Sequence, residues 1–158
     1  MNKKTSDDGR KILASNRKAR HLYHILETAQ AGIVLQGTEV KSLRGGHANL
    51  KDSYAVIDGG EIFLLECHID EYTHGNRANH NPTRKRKLLM HKREIQRLFG
   101  KIQGKGFTLV PLSLYLVRGK VKVDIALARG KKLYDKRDDI KQRDLDRDMQ
   151  REQSGKHY

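Results

Sequence analysis

Cysteine is almost missing from this chain: Cys67 stands alone, so no intrachain disulfide can form. Apolar residues are sparse, at 36% of 158, with a mean hydropathy of -0.79. No apolar run reaches the length of a membrane span, and the N-terminus lacks the core of a signal peptide. Both point to the cytoplasm. The basic C-terminal tail lacks the bulky apolar face that membrane-surface binding needs. So little apolar material supports one modest core, a small barrel or sandwich with polar ends left outside.

Chemistry-bearing patterns are missing as well. No Cys–x–x–Cys or His–Glu–x–x–His pattern occurs. His21 and His24 stand three apart, which on a strand puts them on opposite faces, and His74 and His80 stand six apart. They read as neutral surface histidines rather than metal ligands. Ser42, Ser53 and Ser113 have no Gly–x–Ser–x–Gly setting. Gly130–Lys131–Lys132 lacks the upstream glycines of a phosphate-binding loop, and the carboxylates are too scattered for a metal-dependent nuclease. The sequence therefore argues against an enzyme, a cofactor or a bound metal.

What is abundant is positive charge. Lys and Arg number 33 against 19 Asp and Glu, a formal +14. The distribution is uneven. Residues 1–20 carry seven bases and two acids, net +5; residues 21–83 carry four and eight, net -4; residues 84–105 carry nine and one, net +8. Residues 106–128 carry three and one, net +2, and residues 129–158 ten and seven, net +3. A charge this large costs self-repulsion in the folded state, which suits a polyanionic partner. Arg84–Lys85–Arg86–Lys87, with Arg93, Arg97 and Lys101 recurring every four residues, is expected to form a phosphate-binding surface. Such contacts give affinity but little selectivity. Tyr23 beside His21, and Tyr134 beside Lys136–Arg137, suit stacking on exposed bases. The alternative for both is packing, evenly balanced for Tyr23 and less favoured for Tyr134, whose surroundings are too polar for a core.

The coarse reading is mainly β. Residues 21–36 read as two short strands separated at Ala31–Gly32, although the first run, with Leu22, Ile25 and Leu26, fits a helix as well as a strand. Thr38 is placed to cap a short helix through Val40 and Leu43, stopped by Gly45–Gly46. Ser53–Ile57 and Glu61–Leu65 flank Asp58–Gly59–Gly60, a hairpin pattern. Residues 70–87 read as a long loop. Ile95, Leu98, Phe99 and Ile102 form one stripe of a helix over 91–102, ended by Gly104. Phe107–Val117 is a strand with Pro111 marking a bulge or edge. Arg118–Gly119 turns the chain into a half-buried strand, with Val121, Val123, Ile125 and Leu127 alternating with Lys120, Lys122, Asp124 and Ala126. Closely spaced short strands suggest a small closed barrel.

Residues 129–158 contain almost no core material, and Ile140, Leu145 and Met149 are too sparse to bury a face. Asp139–Arg143, Asp144–Arg147 and Asp148–Arg151 stand at helical spacing, each pair contributing only about 0.2–0.5 kcal/mol. That is too little for a lone helix, so the tail is expected to be disordered when free and helical when docked.

Five segments in fixed order resemble the SsrA-binding protein (small protein B) family. The signature is Ala31–Gly32–Ile33–Val34–Leu35–Gln36–Gly37–Thr38–Glu39–Val40–Lys41–Ser42–Leu43–Arg44. The others are Asn16–Arg17–Lys18–Ala19–Arg20–His21, Asp52–Ser53–Tyr54, Arg86–Lys87–Leu88–Leu89, and Gly130–Lys131–Lys132–Leu133–Tyr134–Asp135–Lys136–Arg137. The resemblance runs from about residue 12 into the tail. It implies an oligonucleotide-binding-type (OB-like) closed β-barrel with flanking short helices and a basic C-terminal tail: a flexible N-terminus over 1–11, the RNA-binding barrel over 12–130 and the tail over 131–158. It implies no catalysis and no cofactor. The implied partner is the tRNA-like domain of transfer-messenger RNA, delivered to stalled ribosomes for trans-translation. The tail would become helical in the vacant messenger channel, against the small ribosomal subunit and its RNA. An elongation factor on the aminoacylated RNA would be an indirect partner.

By motif position the RNA-binding residues are Asn16, Lys18, Arg20, His21, Tyr23, Leu89 and Lys122. The ribosome-contacting ones are Gly130, Lys131, Lys132, Tyr134, Asp135, Lys136 and Arg137, with Arg143, Arg147 and Arg151 further along the tail. Two departures stand out. Gln30 replaces a frequent Glu before Ala31–Gly32, which removes a charge and so a salt bridge there. Glu152–Gln153–Ser154–Gly155 is more polar than the family's usual ending, so either the ending anchors less tightly or Met149 takes that role. A generic barrel-type ribosomal or translation-factor RNA binder would explain charge and fold but not the ordered motifs.

Overall fold

The computed structural model describes residues 9–74, 79–104, 106–131 and 133–154, with residues 133–136 and 154 described by backbone alone. The fold is mainly β with flanking helices. In chain order the elements are β1 (Lys11–Ser15), α1 (Ala19–Leu22), β2 (Tyr23–Ile33), α2 (Gly37–Arg44), β3 (Ala48–Asn49), β4 (Tyr54–Asp58) and β5 (Glu61–Leu65). Then come β6 (His68–Ile69), β7 (Arg86–Leu89), α3 (Lys92–Ile102), β8 (Phe107–Val117), β9 (Lys120–Gly130) and α4 (Leu133–Ser154). The expected flexible N-terminus falls in part on residues 1–8, and Gly75 and Asn76 of the long loop, Lys132 and Gly155 also lie outside the described residues.

Seven strands are hydrogen-bonded in the order β1-β8-β4-β5-β7-β2-β9, and β8 also pairs with β9. Two tight turns set the hairpins. Gly59 and Gly60 have φ of 58° and 78°, and Arg118 and Gly119 have φ of 50° and 77°. Turns with two left-handed residues match the twist of the flanking strands. They fix Asp58 opposite Glu61 and Val117 opposite Lys120. Alternation then follows: Ile62 and Leu64 point into the core, as do Val123, Ile125 and Leu127. Leu43 of α2, Leu50, Ile69, Leu109 and Leu114 complete this core, capped by Ile95 and Leu98 of α3.

Several expectations change. Residues 23–33 form one strand, not two: Ala31–Gly32 lie inside β2, and Leu22 ends α1. Leu26 falls on the outward face with His24 and Thr28, 55% exposed, at the register shift between Ile25 and Glu27. The extra residue of a bulge loses its ladder partner. Helix α2 is capped by Gln36 rather than Thr38, the Gln36 backbone N–H donating to Glu39 Oε1 at 2.8 Å. Thr38 Oγ1 instead meets His80 Nδ1 at 2.9 Å, while His80 Nε2 reaches the Ile69 carbonyl at 2.9 Å, so this histidine is buried and structural. Phe99 sits on the predicted stripe of α3 yet stays half exposed. Gln103, one residue before the expected Gly104, is the C-cap of α3. The strand β7 begins at Arg86, inside the expected loop.

Pro111 does mark a bulge, between Pro111 and Ser113 of β8. The wet face of β9 is wet only in part: Ala126 and Ala128 pack with Val110 into a second small cluster, against Tyr23, Ile25 and Leu112. Helix α4 is 22 residues long and leaves Ile140, Leu145 and Met149 exposed. The expected Asp139–Arg143 pair is replaced: Asp139 pairs with Lys131.

Candidate nucleic-acid interface

Strand register brings Leu89 and Lys122 to one place. Gly32 of β2 lies opposite Leu89 of β7 on one side and Lys122 of β9 on the other. A Cβ at Gly32 would come within 3.2 Å of Leu89 Cβ, so a glycine lets the two strands close on each other here. Leu89 is 54% exposed and Lys122 half-buried. With Gln30, His91 and Lys92 they border an open recess of about 630 Å³. An exposed leucine beside lysines offers an apolar contact and cations to the same ligand.

Gln30, which lines the recess, is tied to further polar groups. Gln30 Nε2 donates to Tyr115 Oη at 2.6 Å, and Tyr115 Oη donates to Asp124 Oδ1 at 2.8 Å. Arg10 lies over the Tyr115 ring at 4.6 Å and 3.8 Å from the Asp124 carboxylate. Burial pushes the Tyr115 phenol above its ordinary range; the Gln30 bond opposes this and Asp124 adds to it. The amide at position 30 therefore uses a donor that a Glu would lack, and the lost charge is replaced by a hydrogen bond to the phenol.

Asn16, Lys18 and Tyr23 gather elsewhere, around a depression of about 290 Å³ that shares no lining residue with the recess. The Asn16 backbone N–H donates to Leu112 O at 2.8 Å and its Nδ2 to Pro111 O at 3.0 Å, so Asn16 ties β1 to the bulge of β8. Tyr23 is half-buried: one part packs on the second cluster and another lines the depression. Arg20 and His21 belong to α1, and His21 Nδ1 is buried with no partner among the described residues.

Lys131 joins α1 to the tail. Its backbone N–H donates to Leu22 O at 3.0 Å and its Nζ to Arg20 O at 2.9 Å, and the same ammonium pairs with Asp139. Gly130 lies opposite Tyr23 at the end of β9. Arg137, Arg143, Arg147 and Arg151 stand exposed on α4. Tyr134, Asp135 and Lys136 lie in its first turn, and their side chains are outside the described residues.

The expected phosphate surface at residues 84–101 is largely neutralised. Arg86 is fully buried, pairing through Nε with Glu39 and donating from Nη2 to Pro82 O at 3.0 Å. Arg84 reaches the same carboxylate at 2.5 Å. Lys87 pairs with Glu61 at 3.0 Å, and Arg97 and Lys101 pair with Glu27 at 2.9 and 2.6 Å. Lys85 lies over the Phe63 ring at 4.1 Å. The acid-rich stretch 21–83 thus supplies counter-charges to the basic stretch that follows it. Burial raises the Glu39 carboxyl, but Arg84, the Gln36 N–H and Arg86 outweigh it, and its pKa lies below the ordinary value. Cys67 is buried beside this pair, and burial pushes its thiol up to about 11. Linear reading missed Glu39 as a structural anchor; its place at the third position of α2 signalled only capping. No group of three or more metal-ligating side chains that could hold an ion occurs among the described residues. No described helix is long and apolar enough to cross a membrane.

Residues 13–155 match the family described as SmpB protein. The SsrA-binding protein of Mycobacterium tuberculosis (strain ATCC 25618 / H37Rv) is 59% identical over 149 residues, 94% of this chain and 93% of that one. That of Desulforamulus reducens is 58% identical over 150 residues, 94% and 93% of the two chains. A solved chain described under "tmRNA-SmpB: a journey to the center of the bacterial ribosome" is 54% identical, with a TM-score of 0.65 over 75% of this chain and 84% of that one.

Proposed function

This chain belongs to the SmpB (SsrA-binding) protein family, and we propose that it binds the tRNA-like domain of transfer-messenger RNA and delivers it to stalled ribosomes for trans-translation. It acts as a non-enzymatic adaptor in the cytoplasm. The observation that carries this is identity of 59% along nearly the whole chain to proteins named SsrA-binding. The likeness to a solved tmRNA-SmpB chain supports it.

In this reading the strands form an OB-like closed barrel, supported by the β8–β9 pairing that joins the last strand of the order back to the second, with β1 outside. The body over 12–130 holds the RNA. Leu89 and Lys122 give one contact surface, an apolar contact beside a cation. Asn16, Lys18, Arg20, His21 and Tyr23 give a second. The tail over 131–158, which carries α4 here but buries little of it, is only marginally helical when free and is held helical in the vacant messenger channel. There Gly130 to Arg137, with Arg143, Arg147 and Arg151, face the small subunit and its RNA. An elongation factor on the aminoacylated RNA is an indirect partner.

The test is a titration at several salt concentrations of three RNAs: the tRNA-like domain of transfer-messenger RNA, an ordinary tRNA and a plain duplex. Tight binding that strongly prefers the first is expected. Equal binding to all three, fading steeply with salt, would leave only electrostatics at work and reduce the chain to a generic RNA binder.

A further inference from the structure

We propose that α4 carries two docking faces, and that the face opposite its arginine row binds a basic protein surface of the small ribosomal subunit rather than RNA. The proposal rests on the ribosome reading above and adds to it a second partner chemistry for the same helix.

An α-helix turns by about 100° per residue. Arg143, Arg147 and Arg151 stand four apart along α4 and form one row, with Ile140 at its start. Asp138, Gln142, Leu145 and Met149 stand at i, i+4, i+7 and i+11 and form a second row, centred about 170° from the first. Between residues 137 and 151, every Lys and Arg of the helix falls on the half that holds the arginine row. The half that holds the second row has none. Leu145 is 55% exposed and Met149 61%, and Asp138 is exposed beside them. Gln142 Nε2 donates to Asp146 Oδ1 at 3.1 Å, which draws another exposed acid to the edge of this row.

The two faces ask for different partners. A row of guanidinium groups suits phosphate. The opposite face does not: Asp138 and Asp146 repel a phosphate backbone, and Leu145 and Met149 gain little from one. Exposed apolar side chains flanked by acids match an apolar spot flanked by Lys or Arg, which is the chemistry of a basic protein surface. Methionine helps, since its unbranched chain adapts to an uneven wall.

This side of the helix already meets protein near its start. Asp139, next to Asp138, pairs with Lys131, whose Nζ also donates to Arg20 O at 2.9 Å. Farther along, α4 buries almost nothing against the body. A helix with so little packing of its own gains most from a partner that holds it on both sides.

The full chain carrying a benzophenone amino acid at position 145, or at position 147, is irradiated with purified small subunits. Position 145 is expected to join a subunit protein, within a peptide of net positive charge, and position 147 to join RNA. Charge reversal checks the same assignment by its sign. Asp144→Lys, on the arginine side, is expected to tighten binding to small subunits. Asp146→Lys, the same charge change at the edge of the other face, is expected to weaken it about tenfold. Both residues are exposed on α4, so neither change disturbs the folded body. Lack of a subunit-protein adduct from position 145, whether RNA, a second copy or the chain's own body takes its place, would overturn the second face. So would an Asp146→Lys chain that binds as well as the wild type or better. A wild-type chain that does not bind small subunits would instead overturn the ribosome reading itself.

Discussion

Glu39 of α2 and Arg86 of β7 stand 47 positions apart in sequence and meet as an ion pair with no solvent exposure on either side chain. The guanidinium also donates to the Pro82 carbonyl, and the carboxylate also receives Arg84 and the Gln36 N–H. One buried acid thus joins α2, the loop before β7, and β7 itself. Three residues beyond Arg86 on the same strand is Leu89.

Removing one partner of a buried pair leaves the other charged and unpaired. Glu39→Ala is therefore expected to destabilise the fold by about 3–5 kcal/mol, measured by urea unfolding at neutral pH. Lys87→Ala, which breaks an exposed pair with Glu61, is expected to cost about 0–1 kcal/mol. Equal costs for the two would mean that the buried network contributes no more than the surface one.

Glu39 also predicts a pH dependence. Its folded pKa is lowered, so the unfolded chain binds the proton more readily. The stability it contributes is fully present above its unfolded value of about 4.3 and is lost as pH falls through the lower folded value. Glu27, lowered by the Lys101 hydrogen bond and by Arg97, adds in the same direction. Unfolding midpoints measured from neutral pH down to strong acid should fall steeply in this window for the wild type and less steeply for Glu39→Gln. Parallel curves would remove Glu39 from the account.

At the recess, two substitutions separate charge from packing. Lys122→Ala should weaken binding of the tRNA-like domain and lower the salt slope by about one. Leu89→Ala should weaken binding without changing the slope, because no counterion is released by an apolar contact. Identical slopes for both variants and wild type would take Lys122 away from phosphate.

Deleting residues 131–158 is expected to spare RNA affinity and abolish rescue of stalled ribosomes, read by tagging in a reconstituted translation system. Lys131→Ala tests the junction: amide exchange in the first turns of α4 should quicken, since the ammonium that holds Asp139 and Arg20 O is gone. A truncation that loses RNA affinity as completely as rescue would show that body and tail are one binding unit.

Local chemistry was legible in the sequence wherever neighbours along the chain decide the outcome. Asp58–Gly59–Gly60 needed only the φ freedom of its glycines to become a hairpin turn, Gly119 marked the second turn although Arg118 adopts φ of 50° against its own preference, and the alternation through Val121–Leu127 needed only the period of a strand. Pro111 lacks a ladder donor, and a bulge followed. The ordered motifs likewise sufficed for the family. Tertiary structure decided everything that depends on which distant groups meet. Arg84–Lys85–Arg86–Lys87 looks like free positive charge in one dimension. In three, Glu39, Glu61 and Phe63 lie against it, because a buried guanidinium must find a carboxylate and charge is a pairwise quantity. Likewise Asn16 and Leu89, both placed by motif among RNA contacts, lie on different concavities: strand register, not sequence spacing, sets which side chains share a surface.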